Sequence, residues 1–226
     1  MNNILKEKKR GSLIVVSGPS GCGKGTVIKE LLKGKDDMWL SVSCTSRAIR
    51  PGDTPGESYY FLTKEEFERK IAAGEFLEYA VYNENYYGTP KEHILEKLKN
   101  GIDVILEIEV QGALKVKELV PEAICVFIMP PSMKELKSRL VGRGTEDKDA
   151  LLRRFRTAYK EINQVTNYNY VVVNDQVETT VLKINAILIS EKCRVDRIEE
   201  VFLNNEEEEI HELLMEGNFV NKDIEI

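Results

Sequence analysis

The chain has 226 residues, 42% hydrophobic and 31% charged, enough for one good core in a single globular domain with excursions. No apolar run approaches the 18 or more residues of a membrane span, and four scattered cysteines with two histidines exclude a disulfide framework or a zinc site. The net charge of -6 belongs to the tail: from Glu199 onward there are ten acidic residues and one lysine, leaving 31 basic and 28 acidic residues elsewhere, a mildly basic body suited to small anionic substrates and without the long basic stripe that tracks nucleic acid.

Met1 to Arg10 is basic but lacks the apolar core and small-residue cleavage site of a signal peptide, so it reads as an extension of a cytoplasmic protein. Leu13-Ile14-Val15-Val16 is long enough for a buried strand. Gly18-Pro19-Ser20-Gly21-Cys22-Gly23-Lys24-Gly25-Thr26 follows, and then a helical pattern with Val27, Ile28, Leu31 and Leu32 on one face. A glycine-rich loop between strand and helix is a phosphate cradle: its N–H groups curl around an anion, the helix N-terminus adds partial positive charge, and Lys24 reaches the terminal phosphates. The hydroxyl that usually follows the lysine and meets Mg²⁺ is displaced, with Gly25 in its place and Thr26 one residue later. Mg²⁺ keeps waters and takes ligands from substrate phosphates, so no side-chain metal ligand is expected in the loop.

Further strands are predicted at Trp39 to Ser43, Phe76 to Tyr82, Asp103 to Ile108, Ala123 to Met129 and Tyr170 to Val173, mostly separated by helical stretches. Runs such as Val104-Ile105-Leu106 fit parallel strands covered on both faces, which makes the fold an α/β sandwich with helices on both sides of a parallel sheet. Helix starts are marked by Thr63 with Glu66, Thr89 with Pro90 and Glu92, and Ser132 with Glu135. Between about 44 and 89 many aromatics crowd short strands and turns, which indicates a small mixed α/β insertion. The polar segment at about 141–150 has two glycine hinges and reads as a mobile cover. From Glu199 a helical continuation is expected to fray into a disordered acidic tail, and the four cysteines read as small buried or half-buried residues.

Arg47 and Arg50 sit three apart beyond a strand end, where open α/β sheets bind ligands, and two guanidinium forks on one loop can grip a phosphate dianion from both sides. Tyr59 adds a hydroxyl donor. On its own, such a pair could equally be arginines on a solvated loop.

Taken with the loop at Gly18 to Thr26, the segments Gly74-Glu75-Phe76-Leu77-Glu78, Asn85-Tyr86-Tyr87-Gly88-Thr89, Ile105-Leu106-Glu107-Ile108-Glu109-Val110-Gln111-Gly112 and Arg139-Leu140-Val141-Gly142-Arg143-Gly144-Thr145 make the chain resemble guanylate kinase from about Gly11 to Ser190. The resemblance implies transfer of the γ-phosphoryl group of ATP to GMP, and to its deoxy form, by a core (11–190), an NMP-binding insertion (about 44–89) and a lid, with Mg²⁺ held mainly by nucleotide phosphates and water. It implies that Arg47, Arg50, Tyr59 and Tyr87 hold the GMP phosphate, that Ser43, Glu78 and Thr89 face guanine, and that Arg139, Arg143 and Arg154 close over the phosphates. Glu107 and Glu109 stand where many members have aspartates, the second of which touches the acceptor base. Chemistry agrees with the choice of Glu78: one carboxylate accepts from guanine N1–H and its exocyclic amine, whereas adenine would set a lone pair against the charge. Two other readings remain open on the residues. One is a scaffold that binds phosphopeptides through the NMP site, and the other is a kinase with a different acceptor. ATP and GMP are the expected partners, with no nucleic acid or membrane.

Overall fold

In the computed structural model, residues 5–7, 10–82, 84–141 and 148–201 are described. They fall into two compact units: residues 9–189, and a second made of the chain's two ends.

The larger unit is built on a parallel sheet of five strands, β2 (Leu13–Ser17), β3 (Met38–Leu40), β8 (Asp103–Glu107), β9 (Ile124–Met129) and β10 (Tyr170–Val173), in the order β10-β9-β2-β8-β3. The apolar run of β2 is continuous because both its faces are covered. Leu13 and Val15 pack with Ile94, Leu98, Ala113 and Val116 of helices α3 (Lys91–Lys99) and α4 (Val110–Leu119). Ile14 and Val16 pack with Val27, Ile28 and Leu31 of α1 (Lys24–Leu31) and Ile184 and Leu188 of α7 (Val177–Lys192). Each such side chain taken fully out of water contributes about 1.5–3 kcal/mol. The strand order turns around at β2, so the loop after it opens at the switch point of the sheet, where ligands bind in open α/β folds.

A second sheet, order β5-β4-β7-β6, is formed by β4 (Cys44–Thr45), β5 (Tyr60–Phe61), β6 (Phe76–Tyr82) and β7 (Asn85–Pro90). Its own small core stacks Phe67, from α2 (Lys64–Ala72), against Phe76 and Tyr86. The capping box expected at α2 is present: Thr63 Oγ1 accepts from Glu66 N at 3.1 Å and Glu66 Oε2 from Thr63 N at 2.8 Å. Ser132 likewise accepts from Glu135 N at the start of α5 (Met133–Val141). Thr89 departs from expectation. It lies in β7, Pro90 occupies the cap position of α3, and the Thr89 hydroxyl is used elsewhere. Helix α6 (Lys148–Ile162) packs Ala158 on Leu136 and Leu140 of α5.

In the smaller unit, β1 (Leu5–Glu7) pairs antiparallel with β11 (Ile198–Val201). Glu199 and Glu200 are therefore strand rather than the helical continuation expected of them, and the tail from 202 lies outside the described residues. Cys22, Cys44 and Cys125 are buried, but Cys193 is exposed. No helix among the described residues is long and apolar enough to cross a membrane.

Candidate active site

The loop from Gly18 to Thr26 is shaped by backbone that only glycine supplies at low cost. Gly18 (φ 146°) passes so close to β9 that a Cβ there would stand 2.2 Å from the Ile128 carbonyl oxygen. Gly23 (φ 93°) caps α1 in the left-handed region, and its Cβ would meet Asn174 Nδ2 at 2.5 Å. Pro19 O accepts the Cys22 N–H at 3.2 Å, closing the turn. The Lys24 ammonium donates to Gly18 O at 2.6 Å and, more weakly, to Pro19 O at 3.4 Å.

Two arginines reach this loop from the helices that follow β9. Arg139 on α5 donates to Glu135 Oε1 one turn back at 3.0 Å, to Cys22 O at 3.4 Å and to Asn174 O at 3.3 Å. Arg154 on α6 donates to Ser20 Oγ at 2.8 Å. Arg143, with Gly142, Gly144 and Thr145, lies outside the described residues.

At the end of β8, Glu107 is open to solvent but walled by protein. Burial pushes its carboxyl up, Lys24 pulls it down and Glu109 adds to the rise. Glu107 also faces the loop: its two carboxylate oxygens lie 3.8 Å from where a Cβ on Gly25 would be. Glu109 is the residue before α4, and its side chain makes no cap bond there.

On the second sheet, Arg47 is only 8% exposed. Its Nη2 meets Asp53 Oδ2 at 3.0 Å, its Nη1 donates to Ala48 O at 2.7 Å, and its guanidinium stands 5.4 Å from the Tyr59 ring and 5.7 Å from that of Phe61. Asp53 Oδ2 accepts Arg50 N as well, at 2.8 Å, and that bond, with Arg47, holds the Asp53 carboxyl below its usual range. The Arg50 side chain is exposed. Tyr59 meets Tyr87 edge to face at 5.9 Å. Glu78 is 7% exposed and sits opposite Thr89 in the β6–β7 register, where Thr89 Oγ1 donates to Glu78 Oε1 at 2.7 Å. Burial raises the Glu78 carboxyl above its usual range, with Thr89 and Lys115 opposing the rise. Ser43 is half-buried, and its carbonyl accepts from Tyr60 N.

These groups share one electrostatic neighbourhood. Burial raises the Tyr59 hydroxyl above its usual range, with Tyr87, Glu107 and Glu109 adding to the rise and Arg47 opposing it, while Glu107 feels Lys24.

The guanylate kinase family model matches residues 10–191. The chain belongs to the guanylate kinase family. The guanylate kinase of Clostridium tetani is 57% identical over 206 residues, which cover 91% of this chain and 99% of that one. That of Clostridium acetobutylicum is 56% identical over 204 residues, with 90% and 97% covered. The solved structure of the guanylate kinase from Anaplasma phagocytophilum matches with a TM-score of 0.73 at 33% identity, over 95% of this chain and 97% of that one.

Within this guanylate kinase family fold, four residues join the site that the sequence reading gave no role. Asp53 pairs with Arg47. Gly112, in the first turns of α4, lies so close to Glu78 that a Cβ would meet Oε2 at 2.9 Å. Asn174 follows β10 and bonds Cys22 O through Nδ2 at 2.8 Å, while its Oδ1 accepts from Thr180. Glu161 shares a face of α6 with Arg154, and burial pushes its carboxyl up to about 7. Gly112 closes the Ile105 to Gly112 segment that carries the resemblance. The other three gave no local signal.

Proposed function

We propose that the chain transfers the γ-phosphoryl group of ATP to GMP, releasing ADP and GDP, and that it acts in the cytoplasm. The observation that carries this reading is that one chain of the guanylate kinase family holds both a glycine-bent loop on which Lys24 donates to Gly18 O and a buried Arg47 held by Asp53. In this reading residues 44–89 present the acceptor and 141–150 act as the lid. Arg47, Arg50, Tyr59 and Tyr87 bind the acceptor phosphate, with Arg47 already oriented by Asp53. Glu78 accepts from the guanine edge, and Ser43, Thr89 and Glu109 flank the base. Thr89 steadies Glu78 through the oxygen it already bonds.

No general base is required, because the acceptor is a phosphate already mostly dianionic near neutral pH, its second pKa being about 6. One acceptor oxygen forms a bond to the γ-phosphorus as the bond from that phosphorus to the β–γ bridging oxygen breaks, and ADP leaves with the bridging oxygen. Positioning and positive charge are what the protein supplies. Lys24 exchanges its loop carbonyls for the β- and γ-oxygens, and Arg139 and Arg154 stand at the same loop to meet the equatorial oxygens, joined in this reading by Arg143.

The residues present fit Mg²⁺. Glu107 is a hard oxygen donor facing Gly25, and Thr26 carries a hydroxyl at the same helix start, so both would hold the ion through water while nucleotide phosphates fill the rest of its shell. Bound there, Mg²⁺ neutralises charge on the β- and γ-oxygens.

The test is an acceptor profile: ADP release with Mg·ATP and GMP, AMP or UMP. Release is expected with GMP and little with the others, since a buried carboxylate left unpaired by the wrong base discriminates strongly. Equal turnover with AMP would remove the guanine assignment, and no release with any acceptor would favour the phosphopeptide scaffold.

A further inference from the structure

Strand β6 leans on helix α4 through three consecutive residues. The β6–β7 ladder slips by one residue between Phe76 and Glu78, so Leu77 is an extra residue on β6, and such a bulge re-aims the side chains beside it. Leu77 packs against the core cluster that holds Val110, Ala113 and Val116 of α4. Glu78 brings its carboxylate up to Gly112 of the same helix. The Lys115 ammonium, one turn further on, donates to Tyr79 O at 2.6 Å and stands 5.4 Å from the Tyr79 ring. Of the two Glu78 carboxylate oxygens, Oε1 accepts from Thr89 at 2.7 Å, whereas no hydrogen bond to Oε2 is found among the described residues. Oε2 is the oxygen that lies against Gly112.

Gly112 is buried, and a Cβ on it would stand 2.9 Å from Glu78 Oε2, 3.2 Å from the carboxyl carbon and 3.6 Å from Ile108 Cδ1. The first distance is closer than real Cβ atoms come, so something would have to move, and the far end of a glutamate yields first. The backbone itself does not ask for glycine here, because Gly112 is helical and is not among the glycines at positive φ. Within a helix glycine is less stable than alanine. The missing Cβ is therefore room for the carboxylate.

We propose that Gly112 is a positioning residue for acceptor specificity: the absence of its side chain lets the Glu78 carboxylate stand against α4 in the orientation that leaves Oε2 for the guanine edge while Thr89 holds Oε1. The inference rests on reading Glu78 as the group that accepts from guanine. It places part of base recognition on a helix of the core, since Gly112 sets how close the carboxylate comes and Lys115 ties the neighbouring residue of β6 to the same helix. Alanine at 112 would push Oε2 away, and because Oε1 is bonded the carboxylate could yield only by turning out of the plane in which it accepts from two donors on one edge of the base.

Initial rates for wild type, Gly112→Ala, Glu78→Asp and the double variant, with Mg·ATP and GMP varied separately, test this. Gly112→Ala is expected to raise KM for GMP about tenfold, to leave KM for ATP within about twofold and to keep the melting temperature within about 2 °C of wild type, a split that a loss of packing would not give. Aspartate sets its carboxyl one C–C bond further back, so in the Glu78→Asp background the same alanine is expected to change KM for GMP less than about twofold. An unchanged KM for GMP in Gly112→Ala, equal losses for both nucleotides, or an alanine effect as large in the Glu78→Asp background as in wild type would each overturn the proposal. If Gly112→Ala does not fold, as judged by circular dichroism, the double variant decides: recovery of the fold supports the contact with Glu78, and a second failure overturns it. Glu78→Ala run in parallel separates the two readings. An unchanged KM for GMP there means that the guanine assignment is wrong and takes the proposal with it, whereas a raised KM beside an unaffected Gly112→Ala removes only the role of Gly112.

Discussion

The proposed donor loop and the proposed acceptor site would both receive phosphate, but with different materials. Residues 18–26 work mainly through backbone, bent by glycines at φ values other residues resist, and only Lys24 adds a full charge. The region from Ser43 to Thr89 works through long side chains that arrive already partnered, Arg47 with Asp53 and Glu78 with Thr89. Backbone dipoles are uncharged and can be set in place at little desolvation cost. Ionisable side chains must be buried, and the raised carboxyl of Glu78 shows what that burial opposes. The difference teaches that stability and function align at the loop and conflict at the acceptor sheet.

Lys24→Ala would break the comparison most severely. It is expected to lower kcat about 10²- to 10³-fold while KM for GMP stays within about twofold, read by coupled ADP release. Near-normal turnover would mean that the loop's backbone suffices without its one charge.

Glu78 sharpens the other side. Glu78→Ala is expected to raise KM for GMP about 10- to 100-fold with KM for ATP unchanged, and equal losses for both would make Glu78 a structural residue. Its effect on stability has the opposite sign. The folded carboxyl titrates above its unfolded value, so the folded state binds more protons in between, and stability falls as pH rises from the ordinary carboxylate range to the raised value. Glu78→Gln removes that loss, so its melting temperature should exceed wild type's at pH 7.5 by more than it does at pH 4. An equal difference at both pH values would deny that the charge opposes folding. The smallest effect belongs to a residue outside both sites: Thr63→Ala removes the α2 cap, costs about 1 kcal/mol and lowers the melting temperature by about 2 to 4 °C, with kcat unchanged.

The same contrast explains what could be read from residues alone. The loop was legible because its chemistry is local: strand, glycines, lysine and helix are contiguous, and Val27, Ile28 and Leu31 are buried as their spacing requires. The sheet was legible from its apolar runs, with small errors at the ends. The expected strand at Trp39 to Ser43 is Met38–Leu40, although Ser41 N still bonds Ile105 O at 2.9 Å. Thr89 shows the limit of local pattern. The same cap-plus-acid spacing that holds at Thr63 fails there, because a buried carboxylate across the hairpin is a better partner for the hydroxyl than a helix end. Asn174 bonds a residue 152 positions away in sequence, and Arg154 meets Ser20 only because α6 folds back over the loop. No window of neighbouring residues contains such pairs.

The pairing of β1 with β11 sets Leu5 beside Val201 and Lys6 beside Glu200, which brings residues nearly 200 positions apart to the two-strand spacing of about 4.8 Å. The backbone between them is in effect a closed ring. New ends cut in an exposed turn, in a chain in which a linker joins Leu5 to Val201, should leave the parallel sheet's strand order intact. Trimming Leu5–Glu7 has a different outcome, since it strips Ile198–Val201 of its ladder and leaves a bare strand edge open to pairing with another molecule.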